Sequence, residues 1–296
     1  MDSVLIFLPI VLLLVVLVIP SFAVMKYFDF KNRKRESPLN RKLLRNPGHT
    51  LCERIDDLTK EIMENFIIFL IISICIYNIS EKYYLLQKNG AMPALSLGIF
   101  FMIGLTIYFY VKNFNILEKR NKLRLAYECE LIVGQQLQNT LINGFKIFHD
   151  FPAEKFNIDH IAIGPSGVFA IETKGRAKFT KKEKRNWEVR FDGQKLKFPG
   201  WEEDEPVLQA RRQAIWLCKW IREAIGEEVK VVPVLALPGW YVDLQYGSDV
   251  VVYNGMNPYF LAKYPASLTE SQVRIIANQI ENMCRDVEKK SYKKMI

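Results

Sequence analysis

The 296-residue sequence predicts three transmembrane α-helices followed by an α/β domain in which helices flank a mixed β-sheet. One observation is that the long uncharged runs all lie before residue 112. The other is that short strand patterns alternate with amphipathic helix patterns after residue 113. We therefore divide the chain into a membrane anchor at 1–112, with a basic cytoplasmic loop, and a second domain at 113–296.

Three uncharged runs in the anchor have lengths suited to membrane helices. Val4–Met25 holds 22 residues, and at about 1.5 Å per residue it can cross a hydrocarbon core of roughly 30 Å. Met92–Val111 holds 20 residues, and Phe66–Ile79 becomes long enough when its polar uncharged neighbours are included. We predict spans at about 4–25, 63–82 and 92–111. The uncharged runs offer no ion pathway, which favours an anchor over a channel.

Basic residues set the predicted orientation of these spans. Residues 26–35 hold five Lys and Arg, and residues 112–124 hold five more. The link between the last two runs has only Lys82 and Lys88. The positive-inside rule then places the N-terminus outside and both basic segments in the cytoplasm. We predict a multi-pass protein of the cytoplasmic (inner) membrane, with the lipid bilayer as a partner; buried helices of a soluble protein are the alternative.

The charge and cysteine content narrow the class of partner and site. The chain has 41 Lys and Arg against 32 Asp and Glu, a formal net charge of +9. This excess favours an anionic partner, either nucleic acid or a lipid surface. The five cysteines form no C-x-x-C pair and the three histidines are scattered, so the sequence shows no zinc spacing and no disulfide framework. That usage fits a reducing compartment.

The stretch 159–174 predicts a β-hairpin with charged residues at its open end. Two apolar runs flank a Gly-Pro-Ser-Gly turn at 164–167. An even loop length places Asp159 opposite Glu172, with their Cβ atoms roughly 5 Å apart. A three-residue loop with a bulge at Gly167 would send Asp159 to the other face. The register therefore decides whether the two carboxylates converge.

Two carboxylates and a lysine at strand ends would form a divalent-metal site. Glu172 and Lys174 are two residues apart, so they share one face of the strand. Asp159 and Glu172 would bind a hard cation, and the Lys174 ammonium would orient a water molecule beside it. The alternative is an exposed cross-strand charge pattern, which is common for Glu-x-Lys on a strand.

Two predicted helices add polar candidates. Residues 121–141 have helical apolar spacing, and Glu130 lies beside the apolar face, where it can reach a half-buried site or remain an ordinary surface acid. Residues 206–225 form a second amphipathic helix with Gln209 off its apolar stripe. The other predicted elements are strands at 145–151, 229–237 and 250–253, a hairpin through 186–192 and 194–198, and a helix at 269–284.

A strongly basic segment follows the hairpin. Such a run is usually a solvated loop, but beside a carboxylate cluster it would follow a phosphate backbone. The candidate nucleic-acid-binding residues are Arg176, Lys178, Lys181, Lys182, Lys184 and Arg185.

Five short motifs in this order resemble the PD-(D/E)xK nuclease superfamily and, within it, the nuclease-related (NERD) domain. The resemblance covers roughly residues 127–237 and implies a restriction-endonuclease-like core. The matching pieces are Glu130–Leu137, Asn157–His160, Gly164–Lys174, Trp187 and Pro206–Gln209.

The resemblance implies a metal-dependent site. Asp159 and Glu172 would bind the ion, usually Mg²⁺, with Mn²⁺ as an alternative. The backbone carbonyl of Thr173 would complete the inner shell, and Glu130 would act through a water molecule. Mg²⁺ prefers oxygen ligands and keeps several waters, which suits this set.

The resemblance also implies roles for Lys174 and Gln209. Lys174 would orient or help to deprotonate the attacking water, and Gln209 would position Lys174 or the substrate. The chain departs from the family pattern at Gly175, Ala177 and Glu205. These departures bear on substrate fit rather than on the metal ligands, whose positions are all filled.

The function implied by the resemblance is a membrane-anchored, Mg²⁺-dependent endonuclease that cleaves DNA, in preference to RNA, on the cytoplasmic side. Action against invading DNA would suit that location. A homo-oligomer is compatible with cutting both strands, although the sequence shows no interface. Two other hypotheses stay open: a non-catalytic nucleic-acid-binding or scaffold module, and a transport component with a regulatory domain.

Overall fold

The computed structural model describes residues 19–86, 92–178, 187–289 and 291, which divide into two compact units. One unit comprises the described residues within 1–40, 56–120 and 289–296. The other comprises 41–55 and 121–288 and contains the α/β domain.

Helices dominate the first unit. Residues 19–32 form the described part of α1, α2 extends over His49–Leu86, and α3 extends over Met92–Leu137. Within the described residues, two helices are long and apolar enough to cross a membrane, and only 6% of each apolar window is buried. The predicted spans at 63–82 and 92–111 fall within them. Most of the predicted span at 4–25 lies outside the described residues, so two candidate spans are found rather than three.

The α/β domain places helices on both sides of a mixed sheet, as the sequence predicts. Two further helices follow α3, namely α4 (Glu205–Ile225) and α5 (Glu270–Cys284). The described strands are β1 (Lys146–Pro152), β2 (Asn157–Gly164), β3 (Gly167–Thr173), β4 (Glu188–Phe191), β5 (Leu196–Phe198), β6 (Trp201–Glu203), β7 (Val231–Ala236), β8 (Tyr241–Leu244) and β9 (Val251–Tyr253).

The main sheet has five strands in the order β1-β2-β3-β7-β9. β1, β2 and β3 pair antiparallel, and β7 and β9 are added in parallel. A parallel neighbour requires a crossover, and α4 lies in the connection between β3 and β7. The small second sheet, of order β6-β5-β4-β8, is formed partly within the same connection and includes the predicted hairpin as β4 and β5.

The turn between β2 and β3 has the even length on which the site depends. Gly164 pairs with Gly167, which leaves a two-residue loop. In the same register, the positions that oppose one another at the far end are Asp159 and Glu172. The even loop is confirmed, and the alternative with a three-residue loop is wrong.

Alternate residues of β3 face opposite helix layers. Val168 and Ala170 pack in the cluster that includes α4 and α5, whereas Phe169 and Ile171 pack in the cluster that includes the end of α3. All these side chains are fully buried, and each large one contributes roughly 1.5–3 kcal/mol to stability. Because side chains alternate along a strand, Glu172 follows on the α4 side.

Residues 41–55 pack with the α/β domain, although the predicted division at residue 112 assigns them to the anchor. Leu43 forms a backbone bridge with Val287, and Arg45 donates its N–H to the carbonyl of Cys284 at 3.0 Å. These contacts join the segment to the end of α5.

Candidate active site

A cleft of about 800 Å³ lies where β2 and β3 meet the chain that follows Thr173. It brings together every residue predicted to be catalytic. The lining includes Glu130, Asp159, Glu172, Thr173, Lys174 and Gln209, together with Arg45, Thr50, Asp150, Asn157 and Arg176.

Glu172 is 2% exposed, and both of its carboxylate oxygens are engaged. Oε1 lies 2.5 Å from the Lys174 ammonium, and Oε2 accepts a hydrogen bond of 2.5 Å from Gln213 Nε2. A buried charge is costly unless it is paired and hydrogen-bonded. The lysine and the amide therefore make this buried carboxylate tolerable.

Lys174 reaches Glu172 because it continues the path of β3. Its backbone N–H donates to the carbonyl of Ala236 at 2.9 Å, which extends the pairing with β7. With the extended path maintained, Glu172 and Lys174 direct their side chains to one side.

Asp159 lies at the end of β2 beside the same strand. Its Oδ2 accepts a hydrogen bond of 2.7 Å from the backbone N–H of Thr173. The pKa of Asp159 is raised well above its usual value, mainly by burial and then by the charges of Glu172 and Glu130. The Thr173 N–H and the Lys174 ammonium oppose that rise.

Glu130 projects from α3 and is 7% exposed. Its pKa is raised to about 8, first by burial and then by the charges of Asp150 and Glu172. The Lys174 ammonium and a backbone hydrogen bond from Gly48 act in the opposite direction. Glu130 therefore lies inside the cleft rather than on an open surface.

The cleft has more carboxyl groups than neighbouring cations. Glu130, Asp159 and Glu172 share Lys174, and repulsion from the Glu172 carboxylate helps to raise the pKa of both Glu130 and Asp159. A divalent cation with oxygen ligands would relieve it. Among the described residues, no three His, Cys, Asp or Glu side chains are grouped closely enough to hold a metal ion. The donor set predicted from the sequence, Asp159, Glu172 and the carbonyl oxygen of Thr173, includes only two such side chains and stays a prediction.

Gln213 was not predicted, although it makes the direct contact with Glu172. It is almost fully buried, and its Nε2 also donates to the carbonyl of Asn157 at 3.2 Å. The half-buried Gln209, one turn earlier on α4, lines the cleft, and its positioning role stays a prediction. The missed signal was a polar residue beside the apolar stripe, four positions after Gln209.

Asp150 was also missed, although side chains and backbone among the described residues donate four hydrogen bonds to its carboxylate. It is 3% exposed, and its Oδ2 accepts from Thr50 N at 2.9 Å, Thr50 Oγ1 at 2.6 Å and Arg45 at 3.1 Å. Its Oδ1 accepts from Asn157 Nδ2 at 2.9 Å. The sequence signal was an acid inside the predicted strand 145–151.

The neighbouring histidines form a buried pair. The Nδ1 atoms of His149 and His160 lie 2.9 Å apart. Burial lowers the pKa of His149 to about 4 and that of His160 well below its usual value. Both rings are therefore neutral at pH 7, and one donates to the other.

The basic segment is described only at its start. Both ends of the Arg176 guanidinium donate to Glu203 at 2.8 Å, so this arginine is held by an ion pair. Lys178 is exposed, with its ammonium 5.5 Å from the ring centre of Trp240. The predicted residues Lys181, Lys182, Lys184 and Arg185 lie outside the described residues.

Residues 125–238 match the family model described as the nuclease-related domain, NERD. The match begins in α3 before Glu130 and ends just after β7, so it includes every predicted site residue. The resemblance to the nuclease-related domain that was inferred from the sequence motifs is therefore confirmed for this part of the chain. No curated protein and no solved structure in the comparisons matches the chain.

Proposed function

We propose that this chain, which carries a nuclease-related domain at 125–238, is a membrane-anchored, divalent-metal-dependent nuclease that hydrolyses DNA phosphodiester bonds. A nuclease-related domain implies a nucleic-acid substrate. The observation that carries the proposal is the convergence of Glu130, Asp159, Glu172 and Lys174 in one cleft. Such groupings of titratable residues in a cleft are typical of catalytic sites.

Mg²⁺ is the proposed ion, with Mn²⁺ as a substitute. Asp159 and Glu172 would hold it with the carbonyl oxygen of Thr173, and Glu130 would act through a water molecule. These are the oxygen donors that Mg²⁺ prefers. When bound, the ion would activate water as a nucleophile and polarise the phosphoryl group.

Lys174 would orient the attacking water and stabilise the negative charge that develops at the phosphate. Its contact with Glu172 holds the ammonium in the cleft, while Gln213 holds the opposite oxygen of the same carboxylate. This double contact restricts rotation of Glu172, which keeps both reacting groups in place. Gln209 would position Lys174 or the substrate from the preceding turn of α4.

DNA is the proposed substrate, and the cytoplasmic face of the membrane is the proposed location. The net charge of +9 and the exposed Lys178 favour a phosphate backbone. The two apolar helices and the basic residues beside them support an anchored protein with its nuclease domain in the cytoplasm. Invading DNA would be accessible there, and a homo-oligomer would allow both strands to be cut.

The test is cleavage of supercoiled plasmid by the full-length protein in detergent, with Mg²⁺, with Mn²⁺ and with EDTA. We expect metal-dependent nicking that Asp159→Ala and Lys174→Ala each abolish without unfolding the protein. Lys195→Ala is the control, because this exposed lysine pairs with Glu202 in the small sheet. A wild-type protein that cleaves neither DNA nor RNA with either metal would overturn the proposal.

A non-catalytic binding module is the second candidate. Its supporting observation is that Lys174 and Gln213 engage both oxygens of Glu172. This function requires salt-sensitive nucleic-acid binding that survives Glu172→Gln. Binding of that kind by a protein that does not cleave would favour the second candidate.

A further inference from the structure

We propose that residues 45–50, at the start of α2, are a positioning segment of the active site. They fix the orientation of Glu130 directly and of Glu172 through Asn157 and Gln213. The site is then assembled from two parts of the chain that are separated in sequence by both described candidate spans. This inference rests on the proposed nuclease activity and adds residues outside the matched domain.

The segment is held firmly through Arg45. One guanidinium nitrogen donates to the side chain and to the carbonyl of Asp150, each at 3.1 Å. The other two nitrogens donate to Asp286 at 2.8 and 2.7 Å. A planar guanidinium matches a carboxylate in this two-point arrangement. Arg45 therefore joins β1 to the chain that follows α5.

Thr50 gives the segment its second point of attachment. It donates both its N–H and its hydroxyl to Asp150 Oδ2, at 2.9 and 2.6 Å. Together with Arg45 and Asn157 it satisfies a carboxylate that has almost no contact with solvent. Removal of these donors would leave the acid buried and incompletely bonded, which is strongly unfavourable.

A chain of hydrogen bonds continues from Thr50 to a predicted metal ligand. Asn157 Nδ2 donates to Thr50 Oγ1 at 2.7 Å, and the carbonyl of Asn157 accepts from Gln213 Nε2 at 3.2 Å. The same amide nitrogen donates to Glu172 Oε2 at 2.5 Å. Displacement of Thr50 would therefore loosen the residue that holds Glu172.

The segment also packs closely against α3, with no space for a side chain at Gly48 of the segment or at Gly134 of α3. Gly48 has φ +66°, and a Cβ there would lie 2.7 Å from a ring carbon of Tyr127 and 3.6 Å from Glu130 Oε2. A Cβ at Gly134 would lie 2.5 Å from the ring of Pro47. Gly48 also provides the backbone hydrogen bond to Glu130. Two glycines thus allow the backbone of the segment to reach the acid.

The test uses full-length protein in detergent, with Thr50→Val as the main variant and Thr50→Ser as the conservative one. Valine keeps the shape of threonine but removes the hydroxyl that bonds Asp150 and Asn157. Thr269→Val is the matched control, because Thr269 caps α5 through its hydroxyl and lies outside the cleft. We measure kcat and KM for plasmid, Mn²⁺ affinity by calorimetry, and the thermal midpoint.

We expect Thr50→Val to lower kcat about 10- to 100-fold with little change in KM, and to weaken Mn²⁺ binding. Thr50→Ser should restore most of the kcat and most of the Mn²⁺ affinity. Thr269→Val should lower the thermal midpoint and leave kcat and Mn²⁺ affinity unchanged. If Thr50→Val does not fold, Gly134→Ala replaces it. That change favours the helix but pushes Pro47 away, so the same losses are expected.

A Thr50→Val protein with wild-type kcat and Mn²⁺ affinity would overturn the inference, because the segment would then be only structural. The same conclusion follows if Gly134→Ala is needed and proves fully active. A wild-type protein that binds Mn²⁺ without cleaving would contradict the proposed nuclease, while Mn²⁺ affinity of the variants would still decide the role of the segment. A wild-type protein that neither binds Mn²⁺ nor cleaves nucleic acid would overturn both the proposed nuclease function and the role of the segment.

Discussion

The buried carboxylates at the two ends of the cleft differ in how many hydrogen bonds they receive. At one end, Asp150 receives four hydrogen bonds from Arg45, Thr50 and Asn157. At the other end, the described residues provide Asp159 with one hydrogen bond, from the Thr173 N–H, and its pKa is raised. A carboxylate whose acceptors are filled by the protein is structural. A carboxylate short of donors is suited to a cation that the protein does not supply.

Glu172 lies between these extremes. Its oxygens are engaged by Lys174 and Gln213, which belong to the site itself rather than to a distant segment. On this comparison we propose that Asp150 serves the assembly of the site and that Asp159, Glu172 and Glu130 serve its chemistry.

The largest expected difference is between the thermal midpoints of two variants, one of Arg45, which pairs with Asp150, and one of Asp159, a predicted metal ligand. Arg45→Met leaves the buried Asp150 without its cation and should lower the thermal midpoint by about 6–12 °C. Asp159→Asn removes a predicted metal ligand, so it should abolish cleavage. Because it also relieves carboxyl repulsion, it should not lower the midpoint of metal-free protein. Thermal unfolding in detergent with EDTA measures both, with the exposed Arg190→Met as control. Equal losses of stability in Arg45→Met and Asp159→Asn would remove the distinction.

A smaller contrast separates two glutamines on one face of α4. Gln213→Leu removes the donor to buried Glu172, so we expect about a tenfold loss of kcat and weaker Mn²⁺ binding. Gln209 lies one turn before Gln213 on α4, and Gln209→Leu should reduce kcat less than Gln213→Leu does. Plasmid nicking and calorimetry on both variants test this order. A greater loss of kcat in Gln209→Leu than in Gln213→Leu would contradict this order and would identify Gln209, the residue predicted from the sequence, as the positioning residue.

The smallest expected effect is a pH dependence of stability in metal-free protein. The pKa of Glu130 is raised from 4.5 to about 8, so between these values the folded state binds more protons than the unfolded state. The contribution of Glu130 to stability should therefore fall as pH rises through that range, whereas the lowered pKa values of His149 and His160 act in the opposite direction below about pH 6.5. Thermal midpoints at several pH values in EDTA, for wild type and Glu130→Gln, measure the trend. A stability difference between wild type and Glu130→Gln that stays constant with pH, or that shifts in favour of wild type as pH rises, would contradict the raised pKa.

Local patterns explain what the sequence could predict about this site. Strand alternation and an even loop were enough to place Asp159 opposite Glu172, because both depend on neighbouring residues. The helix pattern around Glu130 likewise identified an acid at the edge of an apolar face. The resemblance to the nuclease-related domain added Gln209, and all five residues predicted to be catalytic line one cleft.

The missed residues depend on contacts between distant parts of the chain. Arg45 and Thr50 meet Asp150 across 105 and 100 positions, and no periodicity encodes such a pairing. The runs of charge around 41–55 instead indicated a loop of the anchor. Gln213 was different, because a polar residue four positions after Gln209 was a local signal that could have been used.

Anomalous diffraction from Mn²⁺-soaked crystals of the full-length protein tests the central claim most directly. Asp159 and Glu172 are predicted to bind a divalent ion, whereas Asp150 is not. We expect an anomalous peak between Asp159 and Glu172, next to the carbonyl oxygen of Thr173, and no peak at Asp150. A cleft without a peak, or a peak at Asp150 instead, would contradict the account.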